Sequence, residues 1–244
     1  TGKLCNGLIP SNSMLIEAIE RINFHSPTID LIIASGDLTN NGTIEEYIAL
    51  SKILDSAKSP VLLIPGNHDN RENLRKVFNY HNYIPNDGHI SYLIEDYPIK
   101  FIGLDTSIQG MPGGEVSNRQ IEWLNKTLRK LENFPVIIFM HHPPFKTGIW
   151  WMDAIGLKGV VKFENVIKKY SNIKAVLAGH LHRQIQSLFA GTIGYIAPST
   201  AHQIALDLDG KDFLGCTLDP PAFAIHYWQK NSLVSHICYV KKMK

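Results

Sequence analysis

Four short segments of this 244-residue chain carry side chains suited to divalent cations: Gly36-Asp37, Gly66-Asn67-His68-Asp69, His141-His142 and Gly179-His180-Leu181-His182. Carboxylate oxygen and imidazole nitrogen together suit borderline metals such as manganese, iron, zinc or cobalt. Taken singly, each segment has an ordinary structural use. An aspartate after a strand caps a turn, Asn-His-Asp makes a turn, and one of two adjacent histidines packs inside. In the last segment, alternate imidazoles share a face if the chain stays extended, or diverge toward two neighbouring ions if it turns tightly. What sets the four apart is that each follows an apolar run, in order.

Those runs are Leu31–Ala34, Val61–Ile64, Phe101–Leu104, Val136–Phe139 and Ala175–Leu177. Continuous apolar runs of this length predict strands covered on both faces. The third run ends at Asp105. Ligand sites of open α/β sheets lie beyond the carboxyl ends of the strands, so the pattern predicts carboxylates, an amide and imidazoles along one edge of one sheet. Helical spacing lies between the runs: Leu15, Ile19 and Ile22; residues 43–57; Ile121, Leu124, Leu128 and Leu131, opened by Ser117 and Gln120 as a capping box; and residues 159–170. The alternation predicts an α/β layered fold. Ala222–Trp228 and Leu233–Val240 flank Gln-Lys-Asn-Ser and predict a C-terminal β-hairpin over 222–240, which would complete a sheet or meet a second subunit in a homo-oligomer.

Composition narrows the classes. With 44% hydrophobic residues the chain can bury one substantial core, and one domain spanning 1–244 is expected. A formal net charge of +2 offers no basic field for nucleic acid or an anionic membrane surface, and no apolar run reaches the roughly 18–20 residues of a membrane helix. Cys5, Cys216 and Cys238 are too few and too scattered for a disulfide framework or a cysteine zinc site, which fits a cytoplasmic protein. Neither a Gly-rich nucleotide loop nor a Gly-x-Ser-x-Gly elbow is present.

The four segments, in this order, resemble the motifs of calcineurin-like metallophosphoesterases. Gly36-Asp37-Leu38-Thr39-Asn40-Asn41-Gly42, Phe139-Met140-His141-His142-Pro143-Pro144 and Pro198-Ser199-Thr200-Ala201-His202-Gln203 are most similar to the bacterial cyclic nucleotide phosphodiesterases and glycerophosphodiesterases of that superfamily. The resemblance implies a four-layer α-β-β-α sandwich of two packed mixed sheets flanked by helices. It implies two divalent metal ions, with Asp37 bridging them. Asn67, His141 and His180 would complete one site, and His182 would serve the other. His68 would act in catalysis with Asp37, and Asn67, His68 and His202 would contact substrate. The reaction implied is hydrolysis of small phosphodiesters, cyclic nucleotides or glycerophosphodiesters, by a metal-activated hydroxide. The alternatives are a phosphomonoesterase or nuclease of the same superfamily, or an inactive metal-binding regulatory domain.

Several residues carry weaker expectations. Asp69 would orient His68 or nearby backbone. Asp105 would support a histidine or cap its strand, and His142 would pack or support a ligand. Trp150 and Trp151 would line the cleft or pack in the core. The family's Asp-x-His motif, which supplies the remaining ligands of the second ion, would lie before Thr1-Gly2-Lys3-Leu4, on a strand within about 15–25 further residues. Asp87-Gly88-His89 has the same spelling but follows the other motifs and predicts a turn.

Overall fold

The computed structural model describes residues 9–210 and 215–241. Cys5 and the segment Thr1–Leu4 lie outside the described residues. In chain order the elements begin α1 (Ser11–Asn23), β1 (Ile32–Ala34), α2 (Ile44–Leu54), β2 (Val61–Leu63) and α3 (Arg71–Val77). Then come β3 (Tyr92–Ile94), β4 (Lys100–Leu104), β5 (Ser107–Ile108), β6 (Met111–Glu115), α4 (Asn118–Lys130) and β7 (Val136–Met140). Next are α5 (Trp150–Ile155), β8 (Leu157–Lys158), α6 (Val160–Ile167), β9 (Ile173–Ala178), β10 (Ile185–Phe189) and β11 (Thr192–Ile196). β12 (Gln203–Ile204), β13 (Cys216–Thr217), β14 (Ala222–Gln229) and β15 (Ser232–Tyr239) complete the set.

Six strands form the main sheet in the order β10-β11-β9-β7-β4-β3. Its four inner strands run parallel, and β10 and β3 close its edges antiparallel. Every residue of central β7 is buried, as a strand covered on both faces requires. The period-two pleat divides its side chains between two cores. Val136, Ile138 and Met140 face α4 and α6 through Leu124, Leu128, Phe163 and Val166. Ile137 and Phe139 face Leu62 and Leu63 of β2, Tyr47 of α2, Leu74 of α3 and Trp228 of the hairpin. The layers therefore run helix, sheet, sheet, helix, the mixed α/β sandwich that the sequence predicts.

One expectation needs correcting. Among the described residues β1 and β2 do not join the main sheet; they pair with each other in parallel, Ile32 opposite Val61, and pack on its face. The candidate ligands therefore come from two stacked layers rather than one sheet edge. Local chemistry sets several boundaries. Thr43 with Glu46, and Ser117 with Gln120, form complete capping boxes at α2 and α4. The hairpin β14–β15 turns at Lys230-Asn231, both at positive φ, as a two-residue primed turn demands. Cys216 is exposed and Cys238 half-buried. No helix among the described residues is long and apolar enough to cross a membrane.

Candidate metal centre

His141 leaves the end of β7 on the same side as Ile137 and Phe139, toward the loops that follow β1 and β2. Its Nδ1 lies 2.8 Å from the Ser35 carbonyl oxygen. A carbonyl only accepts, so Nδ1 carries the proton and Nε2 of the neutral ring is a bare lone pair. Around that Nε2 lie Asn67 Oδ1 at 3.1 Å, His180 Nδ1 at 3.2 Å and Asp37 Oδ2 at 3.3 Å. Asp37, Asn67 and His141 present three acceptors to one another, and His180 adds a fourth when its proton is on Nε2. Such acceptors repel unless a cation lies among them. Their spacing matches the edge of a coordination polyhedron, about 3.0–3.4 Å for metal–ligand bonds near 2.1 Å.

In the metal-free chain a proton meets that deficit. Burial pushes the His141 imidazole down, but the Asp37 charge and hydrogen bond outweigh it and raise the ring above its ordinary value. Burial likewise pushes the Asp37 carboxyl up, and the His141 charge and hydrogen bond, helped by His68, hold it well below the carboxylate range. His180 and His182 are kept neutral. Burial, with the neighbouring His141, pushes His180 well down, and burial with His202 brings His182 to about 4. Neutral imidazoles at pH 7 are the form that binds metal. The second nitrogen of His180, Nε2, is buried without a protein partner, and His180 lines a cavity of about 210 Å³ with Pro143 and Leu181. The Nδ1 atoms of His182 and His202 are also buried and unpartnered, and the two rings meet edge to face at 4.6 Å. The donor set around His141 Nε2 and the orphaned Nδ1 of His182 fit divalent metal ions.

The backbone is built for this convergence. Asp37, His180 and His182 all take positive φ, at 51°, 69° and 50°. Gly36 has φ 95°, and a Cβ there would strike the His141 ring; one on Gly66 would strike the Asp37 carboxylate and its amide. His68 donates its amide to Asp37 Oδ1 at 3.1 Å, and its ring Nδ1 holds the Asn40 carbonyl at 2.9 Å, which leaves Nε2 for substrate. The ring is exposed, as a substrate-facing group must be.

Asp69 locks the two ligand loops together rather than touching the His68 ring. Its buried carboxylate accepts from Leu38 N, Thr39 N, Thr39 Oγ1, Tyr47 Oη and Gly66 N, all at 2.8–3.1 Å.

The remaining candidates fall outside the centre. The His142 ring nitrogens lie near those of His141 and His180, within 4.8 Å, yet both are already engaged. Nδ1 pairs with Thr106 Oγ1 at 2.8 Å and Nε2 with the Pro112 carbonyl at 3.2 Å. The pleat explains this: His142 emerges on the opposite side of β7 from His141. Asp105 supports no histidine. It holds Arg71 bidentately at 2.6 and 3.0 Å and accepts from the amides of Ile90 and Ser107. Trp151 packs in the core and Trp150 is half exposed. Asp87 and Gly88 form bends before β3, as expected of a turn. Sequence reasoning missed the Arg71–Asp105 pair, the Tyr47 hydroxyl and the Ser35 carbonyl that fixes the His141 tautomer. The last of these, a backbone atom, leaves no sequence signal.

Residues 6–184 match the family model described as calcineurin-like phosphoesterase, and the chain belongs to that family. It is 38% identical to a probable glycerophosphodiester phosphodiesterase of Arcobacter nitrofigilis, over 100% of this chain and 90% of the relative. It is 31% identical to a probable cyclic nucleotide phosphodiesterase of Rhodopseudomonas palustris, over 97% of this chain and 87% of that protein. Among solved structures, a dimetal phosphatase from Danio rerio shares the fold at 16% identity, with a TM-score of 0.72 over 95% of this chain and 87% of the other.

Proposed function

We propose that the chain acts as one domain that hydrolyses small phosphodiesters at a dinuclear metal centre, with Asp37, Asn67, His141 and His180 around one ion. Asp37 would bridge to a second ion served by His182. The observation that carries this reading is the meeting of three acceptor atoms with the bare Nε2 of His141 within 3.1–3.3 Å. The fold family and the relatives' names support the substrate class, and a net charge of +2 counts against a nuclease.

Bound divalent cations supply neutralisation of the phosphoryl oxygens and a water made acidic near neutral pH. The chain's own residues do the rest. Asp37 stays ionised and is steered by the His68 amide, so its two oxygens face different neighbours. Asn67 turns its carbonyl oxygen inward and keeps its amide nitrogen for a phosphoryl oxygen. His68, anchored through Nδ1, brings Nε2 to the leaving oxygen, where it stabilises growing negative charge or passes a proton. His202, packed on the His182 ring, would touch the substrate from the far side. Manganese, iron, zinc and cobalt all suit this donor set.

The test is turnover of bis(4-nitrophenyl) phosphate beside 4-nitrophenyl phosphate by protein reconstituted with manganese. The reading expects the diester to be favoured and chelator to abolish turnover. Preference for the monoester, or turnover indifferent to chelator, would overturn it. A panel of cyclic nucleotides and glycerophosphodiesters then ranks the natural candidates.

A further inference from the structure

Asp105 follows β4 at the carboxyl end of the main sheet, and its side chain is fully buried. A carboxylate in such a place needs hydrogen-bond partners on both oxygens. Oδ2 accepts from Arg71 Nε at 2.6 Å and from Ile90 N at 2.9 Å. Oδ1 accepts from Arg71 Nη2 at 3.0 Å, Ser107 N at 2.9 Å and Ser107 Oγ at 2.8 Å. The backbone of Asp105 is held as well. Its amide donates to Ser91 Oγ at 3.0 Å, and its carbonyl accepts from Gln120 Nε2 of α4 at 2.5 Å. Asp105 is therefore a fixed post on the main sheet. It grips Arg71 through two arms of the guanidinium, one of which also donates to the Ser107 carbonyl.

Arg71 opens α3, three residues after His68, so their Cα atoms are at most about 11 Å apart. The residues from 68 to 70 face another layer. His68 bonds to Asp37 and Asn40; Asp69 to Leu38, Thr39, Tyr47 and Gly66; Asn70 to Tyr47 and Asn73. Those partners all belong to the layer of β1, β2, α2 and α3 and its loops. Among the described residues, Arg71 alone of these four hydrogen-bonds to the end of the main sheet. The candidate centre is divided between the same two layers: Asp37, Asn67 and His68 come from one, His141 and His180 from the other. A phosphate held between them meets His68 at a distance set by how the layers register. A buried ion pair adds little net stability, because desolvation offsets its attraction, but its bidentate geometry fixes position.

We infer that Arg71 is a positioning residue for the reaction. Clamped to Asp105, it fixes the loop of Asn67 and His68 against the main sheet and so aims His68 Nε2 at the leaving oxygen. The inference rests on the phosphodiester reading above and names the residue outside the metal centre on which His68 depends.

The test is a double-mutant cycle with His68→Ala, run on manganese-loaded protein with bis(4-nitrophenyl) phosphate. Arg71→Lys keeps the charge, and because Arg71 is 18% exposed a hydrated ammonium can still neutralise Asp105. Arg71→Met combined with Asp105→Asn removes both charges together, so this second variant also leaves no buried charge unpaired. With His68 present, kcat should fall by about 10-fold in the first variant and about 100-fold in the second, the scale of a misplacement of about 1 Å, while KM stays within about 3-fold. With His68→Ala, either change should lower kcat by less than about 2-fold, because the group being aimed is gone. Manganese affinity, read by calorimetric titration, should stay within about 3-fold of wild type, since Asp69 still joins the ligand loops. Equal losses of kcat in both backgrounds would mean that Arg71 supports the fold at large, and would overturn the inference. So would a loss of manganese affinity of about 10-fold or more, or undiminished kcat in both Arg71 variants. If wild type prefers 4-nitrophenyl phosphate, the phosphodiester reading fails, and the same cycle on that monoester still decides the role of Arg71.

Discussion

Replacing Asp69 with Asn removes one charge and almost no volume, yet it should loosen the whole centre. Five donors converge on this carboxylate. Oδ1 takes Thr39 N, Thr39 Oγ1 and Tyr47 Oη; Oδ2 takes Leu38 N and Gly66 N. Burial pushes the carboxyl up to about 6, against the pull of the Gly66 and Leu38 amides, so it is ionised at pH 7. An asparagine must put its NH2 group at one of the two oxygen positions. At the Oδ2 position it faces two backbone N–H groups, neither of which can accept. At the Oδ1 position the two hydroxyl oxygens, which already accept from Gly42 N and Asn70 N, must accept again and turn their own protons elsewhere, and Thr39 N–H is left orphaned in a buried place.

The cheaper arrangement therefore costs one orphaned amide, about 1–3 kcal/mol, and turns the remaining bonds from charge-assisted to neutral ones. Removing the charge also relieves the desolvation that raises this carboxyl, so a net cost of about 1–3 kcal/mol follows, which lowers the melting temperature by roughly 3–8 °C in a chain of this size. The donors lie on the loops that carry Asp37 and Asn67, so metal affinity should fall with stability, by about 10–100-fold, the usual effect of losing a group that orients ligands. Differential scanning calorimetry and manganese titration read the two effects. An Asp69→Asn protein that melts within about 2 °C of wild type and keeps its manganese affinity would refute the reasoning. Tyr47→Phe removes one of the five donors and should show a smaller version of both effects.

Other perturbations separate the roles assigned above. His68→Ala should retain metal by elemental analysis while kcat falls by about 10²–10³, the usual scale for one charge-stabilising group; loss of metal would mean that His68 positions the centre instead. Asp37→Ala should lose metal and activity together, read by the same two measurements. His142→Ala should leave metal binding largely intact and lower the melting temperature, because it opens a buried space and frees Thr106 and the Pro112 carbonyl. Acid should destabilise the metal-free protein. The folded pKa values of His182, about 4, and His142, about 3, lie below the unfolded 6.5. Each contribution is full above 6.5 and is lost as pH falls through the folded value, so urea midpoints should decline from pH 6.5 toward pH 4. His141 acts oppositely, because its raised pKa contributes stability below 6.5 that is lost as pH rises. Asp69, raised to about 6, also favours the fold as pH drops below that value. Among the described residues seven histidines are held below their ordinary value, His226 at about 4 among them, and they outweigh His141 and Asp69. A midpoint that rose on acidification would show the reverse.

The parts of this architecture legible in the sequence are those with a one-dimensional signature. The apolar runs became β1, β2, β4, β7 and β9, and the capping residues Thr43 and Ser117 sit at the helix starts. β5, β6 and β8 were not legible: Met111-Pro112-Gly113-Gly114-Glu115 has no apolar alternation and is a strand only because its neighbours pair with it. α3 and α5 span seven and six residues, too few for helical periodicity to show. The split of β1 and β2 from the main sheet was equally hidden, because an apolar strand does not record which sheet covers it. At the centre, the ligand types and order were visible. The partition of His141 from His142 follows from the pleat but needs the strand's orientation, which only the packing of Phe139 supplies.

Backbone conformation marks the centre independently of side-chain chemistry. Six non-glycine residues take positive φ among the described residues. Ala190, Lys230 and Asn231 lie in the two tight turns of the β10–β11 and β14–β15 hairpins, where paired strands enforce that conformation. Asp37, His180 and His182 have no such excuse. They lie in loops after β1 and β9, where a left-handed residue costs of order 1–3 kcal/mol and persists only if its surroundings over-determine it. Those surroundings are identifiable. The Asp69 hydrogen bonds clamp the loop after Asp37, and the chain around His180 is tied by Gly179 N to the His141 carbonyl at 3.0 Å. Three strained residues held from outside, with all three side chains of metal-binding type, mean that the fold spends stability to aim those atoms. A scaffold selected for packing alone would place glycine at each position. The same argument explains why Gly36 and Gly66, which bear no chemistry, are as constrained as the residues beside them: each leaves the only space through which Asp37 and His141 can approach.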